Sequence, residues 1–226
     1  MRQLQDIQPL TCNDDLWVYD KPAGVPLLAD RTAQPDLWST LKERPQKPYL
    51  VHRLDKGTSG ILLVARNQRT QSALTSAFNQ RSVKKFYLAW VVGDFPRGAT
   101  LTIDLPLRRG RKSRYRVAGE RAMIQRQGNR FEVSQDREGV EACTAARCLR
   151  HHQGRSLVLL KPITGRTHQI RVHMSWVGYP LVGDHLYGQP DAPLQRASRL
   201  MLHCRRLIVP GFGSYSVPPP EDFNVA

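Results

Sequence analysis

The sequence predicts an α+β fold built on a mixed, largely antiparallel sheet with flanking helices. Three observations carry this. Segments with apolar residues at alternate positions outnumber those with a helical stripe. Several of these segments are joined by connections of hairpin length. No internal repeat, linker or shift in composition divides the 226 residues, so a single domain over 1–226 is expected.

Residues 14–20 (Asp-Asp-Leu-Trp-Val-Tyr-Asp) read as a short strand, broken by Lys21-Pro-Ala-Gly24. Asp36 N-caps a short helix that stops at Pro45. A strand at 49–51 leads into a glycine-punctuated turn, and Ile61-Leu-Leu-Val-Ala65 is the strand that leaves it. Asn67 caps a helix over 68–80, with Ala73, Leu74, Ala77 and Phe78 as its apolar stripe. Residues 83–92 are β-branched and aromatic. Period two sets Lys85, Tyr87, Ala89 and Val91 on one face, against Lys84, Phe86, Leu88, Trp90 and Val92 on the other.

A further strand runs over 100–107, alternating at Leu101, Ile103, Leu105 and Leu107. The polar, glycine-containing stretch 118–139 reads as loop. Two strands, 140–149 and 156–161, form a hairpin across His151-His152-Gln153-Gly154. A helix is expected from Thr167 to Trp176, closed by Gly178, with His168, Arg171 and Ser175 on one face. A last strand lies within 199–209, and Val217-Pro-Pro-Pro220 marks an extended tail.

The charge balance is the strongest global signal. Thirty-four Lys and Arg against nineteen Asp and Glu give a net +15, which points to a polyanionic partner and above all to nucleic acid. Arginine outweighs lysine, as suits phosphate and base-stacking contacts. Arg108-Arg-Gly-Arg-Lys-Ser-Arg-Tyr-Arg116 concentrates six cations around one tyrosine and is expected to be a mobile, phosphate-seeking segment. No apolar run approaches the ~18 residues of a membrane span. The N-terminus lacks a signal-peptide core, so a cytoplasmic location is expected. Cys12, Cys143, Cys148 and Cys204 are scattered without a C-x-x-C pair, which suggests reduced core residues rather than disulfides or zinc ligands.

Chemistry narrows to residues 52–60, His-Arg-Leu-Asp-Lys-Gly-Thr-Ser-Gly, where Asp55 sits between Arg53 and Lys56. A single carboxylate with cationic neighbours suits nucleophilic or general acid–base work. In isolation the nine residues fit a structural ion pair as well. A metal nuclease needs several converging carboxylates, whereas this turn and 166–174 supply one acid between them. His168 and His173 are five apart with no Glu between them, unlike a helical zinc pair. Neither a G-x-x-x-x-G-K-[ST] loop nor a strand-linked G-x-G-x-x-G is present, so nucleotide hydrolysis and a dinucleotide cofactor lack support.

At these residues a resemblance becomes specific. His52–Gly60 resembles the catalytic motif of the RluA-type RNA pseudouridine synthases. Asp20-Lys-Pro-Ala-Gly24, Lys85-Phe-Tyr-Leu-Ala89, Gly165-Arg-Thr-His-Gln-Ile-Arg-Val-His173, Leu181-Val-Gly-Asp184 and Arg199-Leu-Met-Leu-His203 resemble that family's other signatures, in order. The resemblance implies a pseudouridine-synthase-like catalytic domain around a basic cleft, converting uridine in rRNA, tRNA or both to pseudouridine. No metal or other cofactor is implied, the partner is RNA rather than a membrane, and nothing demands more than a monomer.

It implies Asp55 as the catalytic carboxylate, Tyr87 against the flipped base, and Arg171 as the partner that keeps Asp55 ionised, with Arg166 as the alternative. Arg53 would fill the gap left by the extruded uridine. Lys21, His52, Arg166, His168, Arg108, Arg109, Arg111, Lys112 and Arg114 would bind the RNA. About a dozen residues precede the first strand, so the S4-type RNA-binding domain of many relatives is expected to be absent. Target choice would then fall to the catalytic domain and the basic insert at 108–139. A non-catalytic RNA-binding protein on the same fold is the alternative.

Overall fold

The computed structural model describes residues 4–30, 34–111, 114–133, 139–189 and 192–224. It divides into two compact units, the first formed by Met1–Lys84 with His203–Pro219, the second by Lys85–Leu202 with Pro220–Ala226.

The first unit opens with β1 (Thr11–Cys12), β2 (Leu16–Lys21), α1 (Leu37–Lys42), β3 (Tyr49–Leu50), β4 (Ser59–Ala65) and α2 (Gln68–Asn79). All seven residues of β4 are buried, as an unbroken apolar run demands when both faces are covered. Antiparallel β2 takes one edge of β4 from Leu16↔Ala65 to Lys21↔Gly60, and β3 takes part of the other at Leu50↔Val64. Leu37 and Leu41 of α1 pack with Trp17, Tyr19, Leu62 and Val64 in one core. Both caps lie where the sequence puts them. Asp36 accepts from the Ser39 N–H at 2.9 Å, and Asn67 from the Thr70 N–H at 2.8 Å.

The second unit holds β5 (Lys84–Val92), β6 (Leu101–Asp104), β7 (Leu107–Arg109), β8 (Tyr115–Val117), β9 (Ile124–Gln127), β10 (Arg130–Val133), β11 (Cys143–His152), β12 (Arg155–Pro162) and α3 (Gln169–Trp176). Its sheet runs β5-β12-β11-β6-β10-β9, and every pair is antiparallel except β6–β10. The two faces of β5 separate as period two requires. Ala89 and Val91 enter one core with Val158, Leu160, Ile170 and Val172, whereas Leu88 and Trp90 enter another with Val182, Met201 and Phe223. A separate two-stranded ribbon pairs β7 with β8.

The chain then returns to the first unit through β13 (Leu202–Val209) and β14 (Gly213–Ser216), which pair antiparallel. Parallel pairing of β13 with β4 joins His203↔Ser59 and Cys204↔Gly60 on the edge of β4 that β2 leaves open. A Cβ on Gly60 would lie 2.3 Å from the Cys204 carbonyl oxygen, and its φ is +109°, so only glycine fits this crossing.

The α+β class and the mixed, mainly antiparallel pairing agree with the sequence. Four local expectations are corrected. The basic run is a paired ribbon, anchored by the buried side chains of Leu107 and Val117. Part of 118–139 is strand, since β9 and β10 are held by backbone pairing that needs few apolar side chains. The strand expected over 100–107 is broken between β6 and β7, where Pro106 cannot donate to a ladder. Helix α3 begins two residues late, because His168 lies in the left-handed region at φ +56°. No helix of the described residues is long and apolar enough to cross a membrane.

Candidate active site

In the first unit, Asp55 opens a tight turn closed by the Thr58 N–H on the Asp55 carbonyl at 3.0 Å. The turn feeds directly into β4, so the carboxylate stands at the rim of the most buried strand of that unit. Asp55 is half-buried and Arg53 is exposed, while Leu54 between them is buried. A second turn braces the first. The Gly24 N–H donates to the Lys56 carbonyl at 2.8 Å, and Lys56 pairs with Asp30 at 3.0 Å.

Lys21 completes that brace. Its Nζ donates to the carbonyls of Pro22 at 2.8 Å, Val25 at 2.9 Å and Lys56 at 3.3 Å. The side chain is fully buried. This corrects the RNA-backbone contact expected of Lys21, for an ammonium withdrawn from solvent onto three carbonyls ties turns together instead. His52 is likewise drawn inward. Its Nε2 accepts the Leu63 N–H at 2.9 Å, and its ring stacks on Phe78 with centroids 4.8 Å apart.

In the second unit, Tyr87 is half-buried on β5 and packs against the larger core. Arg171 is buried on α3, where Nε and Nη2 each donate to an Asp184 carboxylate oxygen at 2.8 Å. Such a bidentate pair fixes the guanidinium plane as well as its charge. Asp184 Oδ1 also accepts the N–H groups of Leu186 and Tyr187, at 3.0 and 3.2 Å. Arg166 is exposed, and its Nε donates to the Glu141 carbonyl at 3.0 Å.

Gln169 pins the loop ahead of α3. Its Oε1 accepts from Thr164 Oγ1 and the Arg166 N–H, while Nε2 donates to the Cys143 carbonyl and Thr144 Oγ1. His173 is a core residue. Its Nε2 donates to the Leu105 carbonyl at 2.9 Å, Nδ1 lies 3.0 Å from Thr144 Oγ1, and burial lowers its pKa to about 4.

The ribbon gathers cations. Arg108, Arg109, Gly110, Arg111 and Arg116 line a recess of about 640 Å³. Arg109, Arg111 and Arg114 are exposed, as phosphate contacts require, and Lys112 lies outside the described residues. Arg116 and Arg121 lie over the Trp176 ring, 5.6 and 5.2 Å from its centroid. The first unit thus carries Lys21, His52, Arg53 and Asp55, and the second carries Tyr87, the ribbon arginines, Arg166, His168 and Arg171. Sequence reasoning gave no role to Asp184, although its Leu-Val-Gly-Asp motif was the available signal. It gave none to Tyr187 at all.

Residues 15–176 match the family model described as RNA pseudouridylate synthase, a match that runs through both units. An uncharacterised RNA pseudouridine synthase of Zymomonas mobilis is 38% identical over 197 residues, covering 84% of this chain and 81% of the relative. The dual-specificity RNA pseudouridine synthase RluA of Escherichia coli K12 is 34% identical over 223 residues, covering 93% and 91%. Among solved structures, human RNA pseudouridylate synthase domain containing 1 superposes with a TM-score of 0.77 at 28% identity, over 99% of this chain and 86% of the human one.

Proposed function

The chain belongs to the RNA pseudouridylate synthase family and is an isomerase, and we propose that it converts uridines of ribosomal RNA, transfer RNA or both to pseudouridine with Asp55, Tyr87 and Arg171 acting on one uridine. The reaction breaks the bond from the ribose to N1 of the base, turns the base, and rejoins it through C5. The hydrogen on C5 leaves to solvent. No bond is formed to a second substrate, and the residues assigned here suffice without a cofactor.

The observation that carries the reading is the Asp55 turn. A carboxylate at the rim of a fully buried strand, flanked by an exposed arginine and braced by a second turn, is held where a reacting group has to be held. Asp55 acts on the sugar or the base. Arg53 takes the place of the uridine in the RNA stack, offsetting part of the few kcal/mol that flipping costs. Tyr87 lies along the extruded base and takes part in the later proton transfer. Arg171, its guanidinium plane fixed by Asp184, presents its charge to the reacting uridine. Both units make up one catalytic domain, and the ribbon arginines hold the RNA backbone. A cytoplasmic monomer belongs to the same reading. RluA, a relative of similar length, has dual specificity in its name, and this chain is assigned the same breadth.

Tritium release from RNA labelled at uridine C5, in the presence of EDTA, tests the proposal. Wild type should release tritium, and Asp55→Asn should be slower by about 10³-fold or more with its fold intact. Equal release by both proteins would remove Asp55 from the chemistry. RNA binding by wild type with no release from any stable RNA would replace the enzyme with a binding protein.

A further inference from the structure

Tyr187 stands between two parts of the second unit that the proposed function treats separately, the arginine ribbon and the helix that carries Arg171. Its hydroxyl accepts the Tyr115 N–H at 3.0 Å, at the start of β8, and shares a hydrogen bond of 2.8 Å with His168 Nδ1, just ahead of α3. Its ring lies beneath Arg171, with the guanidinium carbon 5.1 Å from the centroid. The Tyr187 carbonyl accepts from Ser175 Oγ on α3 at 2.6 Å, and its N–H donates to Asp184, the same carboxylate that holds Arg171. One side chain and its backbone therefore contact the ribbon, both ends of α3 and the Arg171–Asp184 pair.

The contact to the ribbon is the informative one. Residues 115–117 pair with β7 through the ladder, and Leu107 and Val117 are the buried side chains that seat the ribbon. Three-residue strands in a two-stranded ribbon are marginal on their own. A backbone N–H bound from outside the ribbon is a tether that such an element needs. His168 supports the same arrangement. Its left-handed φ of +56° aims the side chain away from the helix register, and edge-to-face packing with Tyr115 and Tyr187, at 6.2 and 5.6 Å, holds it there.

We propose that Tyr187 is a positioning residue that fixes the arginine ribbon relative to Arg171, so that RNA meets the ribbon arginines as a preformed binding surface. The inference rests on the reading above for what the ribbon and Arg171 do. Tyr187→Phe is the discriminating variant, because it keeps the ring under Arg171 and removes only the hydroxyl.

The tether and its consequence are measured separately. Amide exchange at Tyr115, followed by NMR, should accelerate by about tenfold in Tyr187→Phe. The Kd for unmodified tRNA and rRNA transcripts should rise by about tenfold, with kcat for tritium release within about twofold of wild type. His168→Gly, which tolerates the left-handed backbone and leaves no side chain to reach the hydroxyl, should give a smaller change of the same kind. In an Arg108→Ala/Arg109→Ala background, Tyr187→Phe should add little to Kd, since both act through the ribbon.

Unchanged exchange at Tyr115 overturns the tether. Faster exchange with an unchanged Kd, or a Kd effect fully multiplicative with the arginine variants, overturns the positioning role. Binding and exchange decide this even if wild type proves inactive on every RNA, an outcome that would sink the enzymatic reading alone.

Discussion

The Asp55 turn and the arginine ribbon are both short connections between extended segments, yet they are held in opposite ways. The turn is clasped by backbone hydrogen bonds to a neighbouring turn, by a buried ammonium, and by the seven buried residues of β4 that follow it. The ribbon is a pair of three-residue strands with exposed guanidinium groups, seated by two buried side chains and tied down at only a few points, the Leu107–Val140 backbone pair, Arg116 over Trp176 and the Tyr187 hydroxyl. On the proposed function, the turn has to place a reacting carboxylate to within a fraction of an ångström, whereas the ribbon's phosphate contacts tolerate adjustment and draw on charge. The amount of protein invested in each follows from that difference. Substitutions should accordingly cost stability at the turn and salt-dependent affinity at the ribbon.

The largest effect should come from Lys21→Met. It keeps most of the apolar stem but strands buried carbonyls, so chemical denaturation should show a loss of about 3 kcal/mol, with tritium release reduced as well. If stability is unchanged, the brace around Asp55 is not held by Lys21, and the contrast with the ribbon weakens.

A smaller effect concerns the core next to the ribbon, where His173 donates to the Leu105 carbonyl. Burial lowers its folded pKa to about 4 from the ordinary 6.5. Between those values the unfolded chain binds a proton that the folded chain does not. Stability therefore falls as pH drops through that window, by up to about 1.4 kcal/mol per pH unit. Denaturant midpoints at several pH values should show this slope in wild type and a shallower one in His173→Gln, which cannot titrate. An identical slope in both would remove His173 from the acid sensitivity.

The smallest effect on the fold should come from Arg108→Ala/Arg109→Ala. The thermal midpoint should stay essentially unchanged, while the slope of log affinity against log salt falls by about 0.7 for each single-strand phosphate that is no longer neutralised. A large loss of stability would mean that the ribbon is framework after all.

What the sequence revealed follows the same division. The strands β2, β4, β5, β11 and β12 were legible because burial on one or both faces writes itself into apolar spacing. The ribbon was hidden because six cations outweigh its two anchors, and β9 because an edge strand with exposed side chains is held by its backbone alone. The Asp55 turn was legible through its glycines and the apolar run that follows it. Lys21 was misread because its acceptors are backbone carbonyls of two turns, which no side-chain pattern records. Asp184 and Tyr187 matter through contacts that run back to residues 171, 175, 168 and 115, separations that only the fold closes.

The return of β13 to the first unit has a consequence for how the protein is born. On the ribosome, β4 and the Asp55 turn emerge first, and the strand that crosses Gly60 follows only after the whole stretch between Gly60 and Cys204 has been made, roughly ten seconds or more later at ordinary elongation rates. During that interval part of one edge of β4 presents unpaired peptide groups, the kind of surface that chaperones cover and that aggregation exploits. The first unit reaches its full set of strands only after β13 and β14 are made, so a chain released before them lacks the strand that packs against Gly60.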